Sequence, residues 1–146
     1  MPRPALVPEL YVSNLEASLV FYVELLGFRI EYDRPEERFA ALSLGGAHLM
    51  LEEASSLEPA TPEEFQQGQW RPAALERPFG RGLNLEIEVE DIEAPAARLV
   101  ASGFPMRLPP HERAYRVGDR QQVVRQLLVA DPDGYLIRLS RAETRS

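Results

Sequence analysis

Apolar and polar positions alternate along Val7–Val12, which predicts a short strand with Leu10 and Val12 on one face and Val7, Glu9 and Tyr11 on the other. The period then lengthens. Ser13 and Glu16 have the spacing of a capping box, and Leu15, Leu19, Tyr22 and Leu26 fall on one face of a helix that Gly27 ends. Strands are predicted over Arg29–Asp33, Phe39–Leu44 and His48–Glu53, with Gly45-Gly46 turning the last two into a hairpin.

The same succession starts again at residue 83. "LNLEIEVEDIEAPAARLVASGF" sets beside "LVPELYVSNLEASLVFYVELLGF", so that Val89 matches Val12, Ile92 matches Leu15, and Gly103-Phe104 matches Gly27-Phe28 after one deletion. The second helical stripe is Ile92, Ala96 and Leu99, with Pro95 tolerated only near its first turn. Strands follow over Met106–Leu108, Tyr115–Val117, Val123–Ala130 and Tyr135–Ser140, the last introduced by the turn residues Asp131-Pro132-Asp133-Gly134. "PPHER", with His111, reads as loop. The repeat predicts an α+β fold in which two β-α-β-β-β modules pair to bury one core. The chain reads as a single domain over 1–146, with module one at about 5–53, a connection at about 54–81 and module two at about 82–141. The connection holds Pro59, Pro62, Pro72 and Pro78 and room for one short helix over Pro62–Gln67. It is either a functional loop or a linker.

Composition narrows the classes of function. With 45% hydrophobic and 27% charged residues the chain should fold, and no apolar run is long enough to span a bilayer. Met1-Pro2-Arg3-Pro4 lacks the apolar stretch of a secretory signal. Cysteine is absent, which excludes disulfides and thiolate chemistry and fits a cytoplasmic location. The net charge of -7 argues against nucleic acid or an anionic membrane as partner and suits a cationic ligand. "GRGLN" leads into a strand rather than a helix, so it does not read as a phosphate loop.

Four stretches in order, "VPELYVSNLEASLVFYVELLGF", "AHLMLEEA", "RPFGRGLNLEIEVEDIEA" and "DPDGYLIRLS", resemble the vicinal oxygen chelate superfamily, which includes glyoxalase I, extradiol dioxygenases and bleomycin resistance proteins. The resemblance is greatest to the bleomycin-resistance-like branch and covers nearly the whole chain. It implies two paired β-α-β-β-β modules forming a curved mixed sheet around a cleft, and a homodimer. In the superfamily's enzymes a divalent metal is held by one inward residue from each of four strands. Carried onto this sequence, those positions are Val7, Met50, Asn84 and Arg138. Valine offers no donor, methionine is soft, asparagine gives one neutral oxygen, and arginine is a permanent cation that repels a metal. No metal ligand, catalytic residue or cofactor is therefore expected. The resemblance then implies a small-molecule-binding protein that sequesters an aromatic or cationic drug-like ligand. The alternative is a metal-dependent glyoxalase-type lyase or dioxygenase with a site rebuilt from His48, Glu52, Glu86 or Glu88.

Alternation proposes the lining. Glu9 and Tyr11 face inward in module one, His48 and Met50 share a strand face with Glu52, and Asn84, Glu86 and Glu88 face inward in module two, with Arg138 to balance one carboxylate. Trp70, Phe65 and Tyr115 add aromatic surface for stacking and cation–π contact. Two alternatives stay open. Trp70 either meets a ligand or anchors the connection, and Arg138 either meets a ligand or serves a structural network.

Overall fold

The computed structural model describes residues 4–143; Met1–Arg3, part of the start that lacks a signal-like stretch, lie outside them. Strand β1 (Glu9–Val12) leads into α1 (Leu15–Leu19), which continues as a π-helical stretch over Val20–Leu25. Then come β2 (Arg29–Arg34), β3 (Phe39–Leu44) and β4 (Ala47–Glu53). A connection carrying α2 (Pro62–Gln66) precedes β5 (Asn84–Glu88), α3 (Glu93–Ala101), β6 (Leu108–Val117), β7 (Arg120–Ala130) and β8 (Leu136–Ala142). The strands build two four-stranded mixed sheets, ordered β1-β4-β3-β2 and β5-β8-β7-β6, and neither is closed. In each, the first strand lies parallel to the last and the other pairs are antiparallel.

The register repeats as the sequence does. Glu9 stands opposite Met50 in the first sheet, and Glu86 stands opposite Arg138 in the second. Gly45-Gly46 forms the β3–β4 turn, where Gly45 takes φ 58°, a left-handed conformation that glycine adopts without strain.

Three local expectations are corrected. Asn14, not Ser13, caps α1: its side chain accepts from the Ala17 amide. Ser13 is drawn instead to Asp133. Strand β1 begins at Glu9, so Val7 and Pro8 precede it. Residues 108–117 form one strand rather than two short ones with His111 in a loop, and the register shifts between Leu108 and His111. Because β6 is the sheet's outer strand, Pro109 and Pro110 withhold no ladder bond that a neighbour needs on the far side.

One apolar cluster spans both modules. Leu10, Val12, Leu15, Phe21 and Tyr22 from the first meet Ile87, Ile92, Leu99, Ile137 and Leu139 from the second. Each fully buried side chain of this kind contributes roughly 1.5–3 kcal/mol relative to exposure. The Phe21 ring packs 5.0 Å from that of Phe104, just beyond α3, and the Arg98 Nε of α3 donates to the Leu25 carbonyl at 2.8 Å. The Asp131–Gly134 turn ties the modules further. Asp131 accepts from the Tyr22 hydroxyl at 2.7 Å, while Asp133 accepts from Ser13 and from Arg77. The Tyr135 hydroxyl donates to the Tyr11 carbonyl at 2.9 Å.

Candidate functional site

Each sheet has one face on the shared core and one turned away from it. On the first sheet the outer face carries Glu9 and Tyr11 from β1, His48, Met50 and Glu52 from β4, and Phe39, Ala41 and Ser43 from β3. Leu10, Val12, Leu49 and Leu51 alternate with these and are buried in the core. A cavity of about 560 Å³ opens on this face, lined by Val7, Arg29, Glu31, Tyr32, His48 and Met50 among others. Glu31 accepts from Arg29 at 2.8 Å and from the Ser43 hydroxyl, and the Ser43 bond, then Arg29, hold its carboxyl below the usual range. Phe39 lies under the Arg34 guanidinium, 4.0 Å from ring centroid to Cζ.

Toward the connection the same face becomes acidic. Glu9 is pushed up by burial, against the pull of Arg34. Glu52 is pushed up by burial and then by Glu9, while the Gln69 amide donates to it at 2.8 Å. Glu52 and Tyr11 meet the connection here. The Tyr11 hydroxyl donates to the Gly68 carbonyl at 3.0 Å and accepts from the Trp70 amide at 2.8 Å. Burial, opposed by the Trp70 amide, raises the Tyr11 phenol.

The connection is a folded unit. Thr61 and Glu64 form a reciprocal capping box at the start of α2. Arg71 is fully buried and donates to the Glu58 carbonyl, Ser55, Gln69 and Glu64. The indole Nε1 of Trp70 donates to the Phe65 carbonyl at 2.9 Å, yet the residue stays 57% exposed and Phe65 38% exposed. Trp70 thus anchors the connection through its backbone amide and its indole Nε1, and more than half of the residue's surface stays exposed.

The second sheet places Asn84, Glu86, Glu88, Arg138 and Tyr115 on its outer face by register. Arg138 Nη2 meets Glu86 Oε1 at 3.5 Å. Gln126, which is buried, donates to the Tyr115 hydroxyl at 3.0 Å and lies 3.2 Å from His111 Nε2. His111 Nδ1 lies 2.8 Å from the Pro109 carbonyl, which sets the tautomer with Nδ1 protonated and Nε2 accepting. Arg113 stacks over Tyr115 with its Cζ 5.3 Å from the ring centroid.

The candidate residues therefore fall into two groups rather than one. Glu9, Tyr11, His48, Met50, Phe65 and Trp70 belong to the first sheet and the connection. Asn84, Glu86, Glu88, Tyr115 and Arg138 belong to the second sheet. Arg138 balances Glu86 among the inward carboxylates, while the charge of Arg34 acts on Glu9. Sequence reasoning missed Arg34, Gln69, His111, Arg113 and Gln126. Gln69 and Arg34 had no signal beyond proximity to Trp70 and to the strand end. His111 and Gln126 were hidden by the loop reading of Pro109-Pro110.

The four family metal positions do not fit a divalent cation. Val7 and Met50 line the cavity as apolar or soft groups, and Arg138 brings a positive charge held beside Glu86. Among the described residues no three His, Asp or Glu side chains gather to hold a metal ion.

No curated protein matches the chain in sequence. Among solved structures, a glyoxalase/bleomycin resistance protein/dioxygenase superfamily member from Vibrio splendidus 12B01 is 32% identical over 92% of this chain and 94% of that chain, with a TM-score of 0.40. A glyoxalase/bleomycin resistance protein/dioxygenase from Nocardioides is 24% identical over 97% of this chain and 85% of that chain, with a TM-score of 0.63. The lactoylglutathione lyase from Agrobacterium tumefaciens is 17% identical over 97% and 96%, with a TM-score of 0.59. At their identities, the latter two show a shared fold alone. The family description Glyoxalase/Bleomycin resistance protein/Dioxygenase superfamily matches residues 6–139, nearly the whole chain, and the protein belongs to that superfamily.

Proposed function

We propose that the protein is a metal-independent binder of the bleomycin-resistance-like kind, which sequesters an aromatic cation on the outer face of its first sheet without changing it covalently. One observation carries this reading. Glu9 and Glu52, both pushed up by burial, share that face with Tyr11, whose hydroxyl holds the exposed Trp70 in place. A carboxylate raised by burial regains its charge when a cation is brought against it, and an exposed indole offers its ring to the same ligand. The chemistry of Val7, Met50, Asn84 and Arg138 supports binding over metal-assisted turnover. A lyase or dioxygenase would need a donor set rebuilt elsewhere, and no feature of the described residues favours one.

The reading includes a homodimer. Every residue of β2 is exposed and it forms the outer strand of its sheet, with Ile30 and Tyr32 open to solvent. Strand β6 is the outer strand of the other sheet and leaves Leu108 and Val117 exposed. Unpaired, partly apolar edges of this kind favour association. The lack of cysteine agrees with a reducing cytoplasm, and none of the described helices is long and apolar enough to cross a membrane.

The experiment is a titration with a bleomycin-type cationic drug followed by Trp70 emission at increasing salt. Quenching that saturates and weakens with ionic strength supports the reading. Unchanged emission with no heat of binding overturns it.

A further inference from the structure

We propose a second site, on the outer face of the second sheet, that takes a hydrocarbon carboxylate through Arg138. Arg138 stands at the centre of a row that crosses the sheet in register: Glu86 on β5, Arg138 on β8, Leu128 on β7 and Leu108 on β6. The row runs from acid through guanidinium to an apolar shelf, of which Leu108 is 45% exposed.

The guanidinium is under-used. Its Nε is shielded from solvent and has no hydrogen-bond partner. Nη2 reaches Glu86 only at 3.5 Å, well beyond the 2.7–2.9 Å typical of a charge-assisted bond. Glu86 itself is half exposed, so it neither satisfies the fork nor is fixed by it. A ligand carboxylate is planar, and a small turn of the side chain lets Nε and Nη2 meet it together, which Glu86 does not do here. Its apolar body then lies along Leu128 and Leu108, away from β5, where Glu86 and Glu88 would repel it.

The neighbouring row strengthens the assignment. Ser140, Gln126 and His111 follow in register, and the Gln126 amide is already committed to Tyr115 and His111. That network holds the β6–β7 side of the face in one arrangement. The site does not depend on the cation-binding reading, because it shares none of the residues named for the first sheet.

The test compares 1-naphthoate with the neutral isostere 1-naphthamide by calorimetry, with nitrogen-15 spectra of the arginine Nε–H groups. Naphthoate is expected to bind roughly tenfold or more tighter than the amide, as a charged hydrogen-bond pair predicts. It should move the Arg138 Nε–H resonance, and excess 1-naphthylmethylammonium should not displace it. Arg138→Gln should abolish the preference for naphthoate. Glu86→Gln, which keeps the fold's shape and removes the competing carboxylate, should tighten naphthoate binding. Equal affinities for the acid and the amide, an undiminished preference in Arg138→Gln, displacement by the cation, or weaker naphthoate binding in Glu86→Gln would each overturn the proposal. If Arg138→Gln does not fold, Glu86→Gln and the Nε–H resonance decide.

Discussion

Single residues show where reading a strand's alternation succeeds and where it stops. Tyr11 was legible as an outward-facing position on β1, since Leu10 and Val12 claim the core. Its partners were not legible, because they are backbone atoms of Gly68 and Trp70, brought there by the fold of a segment nearly sixty residues later. Arg138 is the reverse case. Alternation expected it to balance one inward carboxylate without saying which, and the register sets it opposite Glu86, although at a distance too long for a strong bond. Tyr11→Phe should leave the Trp70 amide and Gly68 carbonyl without their partner. The expected cost is about 1–2 kcal/mol in urea unfolding, with a shift of Trp70 emission in the native baseline. An emission spectrum like that of the wild type would contradict the anchoring role.

At the scale of elements, hydrophobic period placed most strands and both module helices, since each must hide one face. It did not foresee that α1 widens into π-helical turns over Val20–Leu25, where the Leu26 amide reaches back five residues to the Phe21 carbonyl. Nor did it foresee the length of β6, because two prolines read as loop unless the strand is known to be an outer one. A short helix in the connection was legible over Pro62–Gln67, and it forms over Pro62–Gln66, but its reciprocal cap from Thr61 and Glu64 went unread. Thr61→Ala should cost roughly 1 kcal/mol of local stability. Hydrogen exchange at the Phe65 and Gln67 amides should quicken by about fivefold, while exchange in β7 stays unchanged. Equal quickening throughout the molecule would mean that the connection unfolds only with the whole.

At the scale of the whole molecule, the internal repeat made the two modules visible, but not the way they are joined. "DPDG" reads as a turn, yet Asp131 and Asp133 also receive bonds from Tyr22 and Ser13 of the other module and from Arg77 of the connection. Gly134 packs so tightly there that an added Cβ would come within 2.6 Å of the Pro78 backbone, at a φ of 101°. Gly134→Ala should therefore destabilise the fold by about 2 kcal/mol or more, measured by thermal unfolding. Light scattering should report a dimer at micromolar concentration; a monomer throughout would contradict the exposed-edge argument. Ligand binding should also depend on pH in a definite direction. Glu9 and Glu52 titrate above their ordinary value because burial disfavours the charge. A bound cation favours the ionised forms, so affinity should rise as pH passes upward through these raised values and level off beyond them. Calorimetry in buffers of different ionisation heat should detect proton release on the rising part.

The central claim is that this superfamily member binds without a metal, and one measurement bears on it most directly. The cationic aromatic is titrated against chelator-treated protein and again after addition of zinc, nickel or manganese, with product analysis in each case. The account predicts one affinity under all conditions and an unaltered ligand. Binding or conversion that appears only with a metal, at one ion per site, would contradict it.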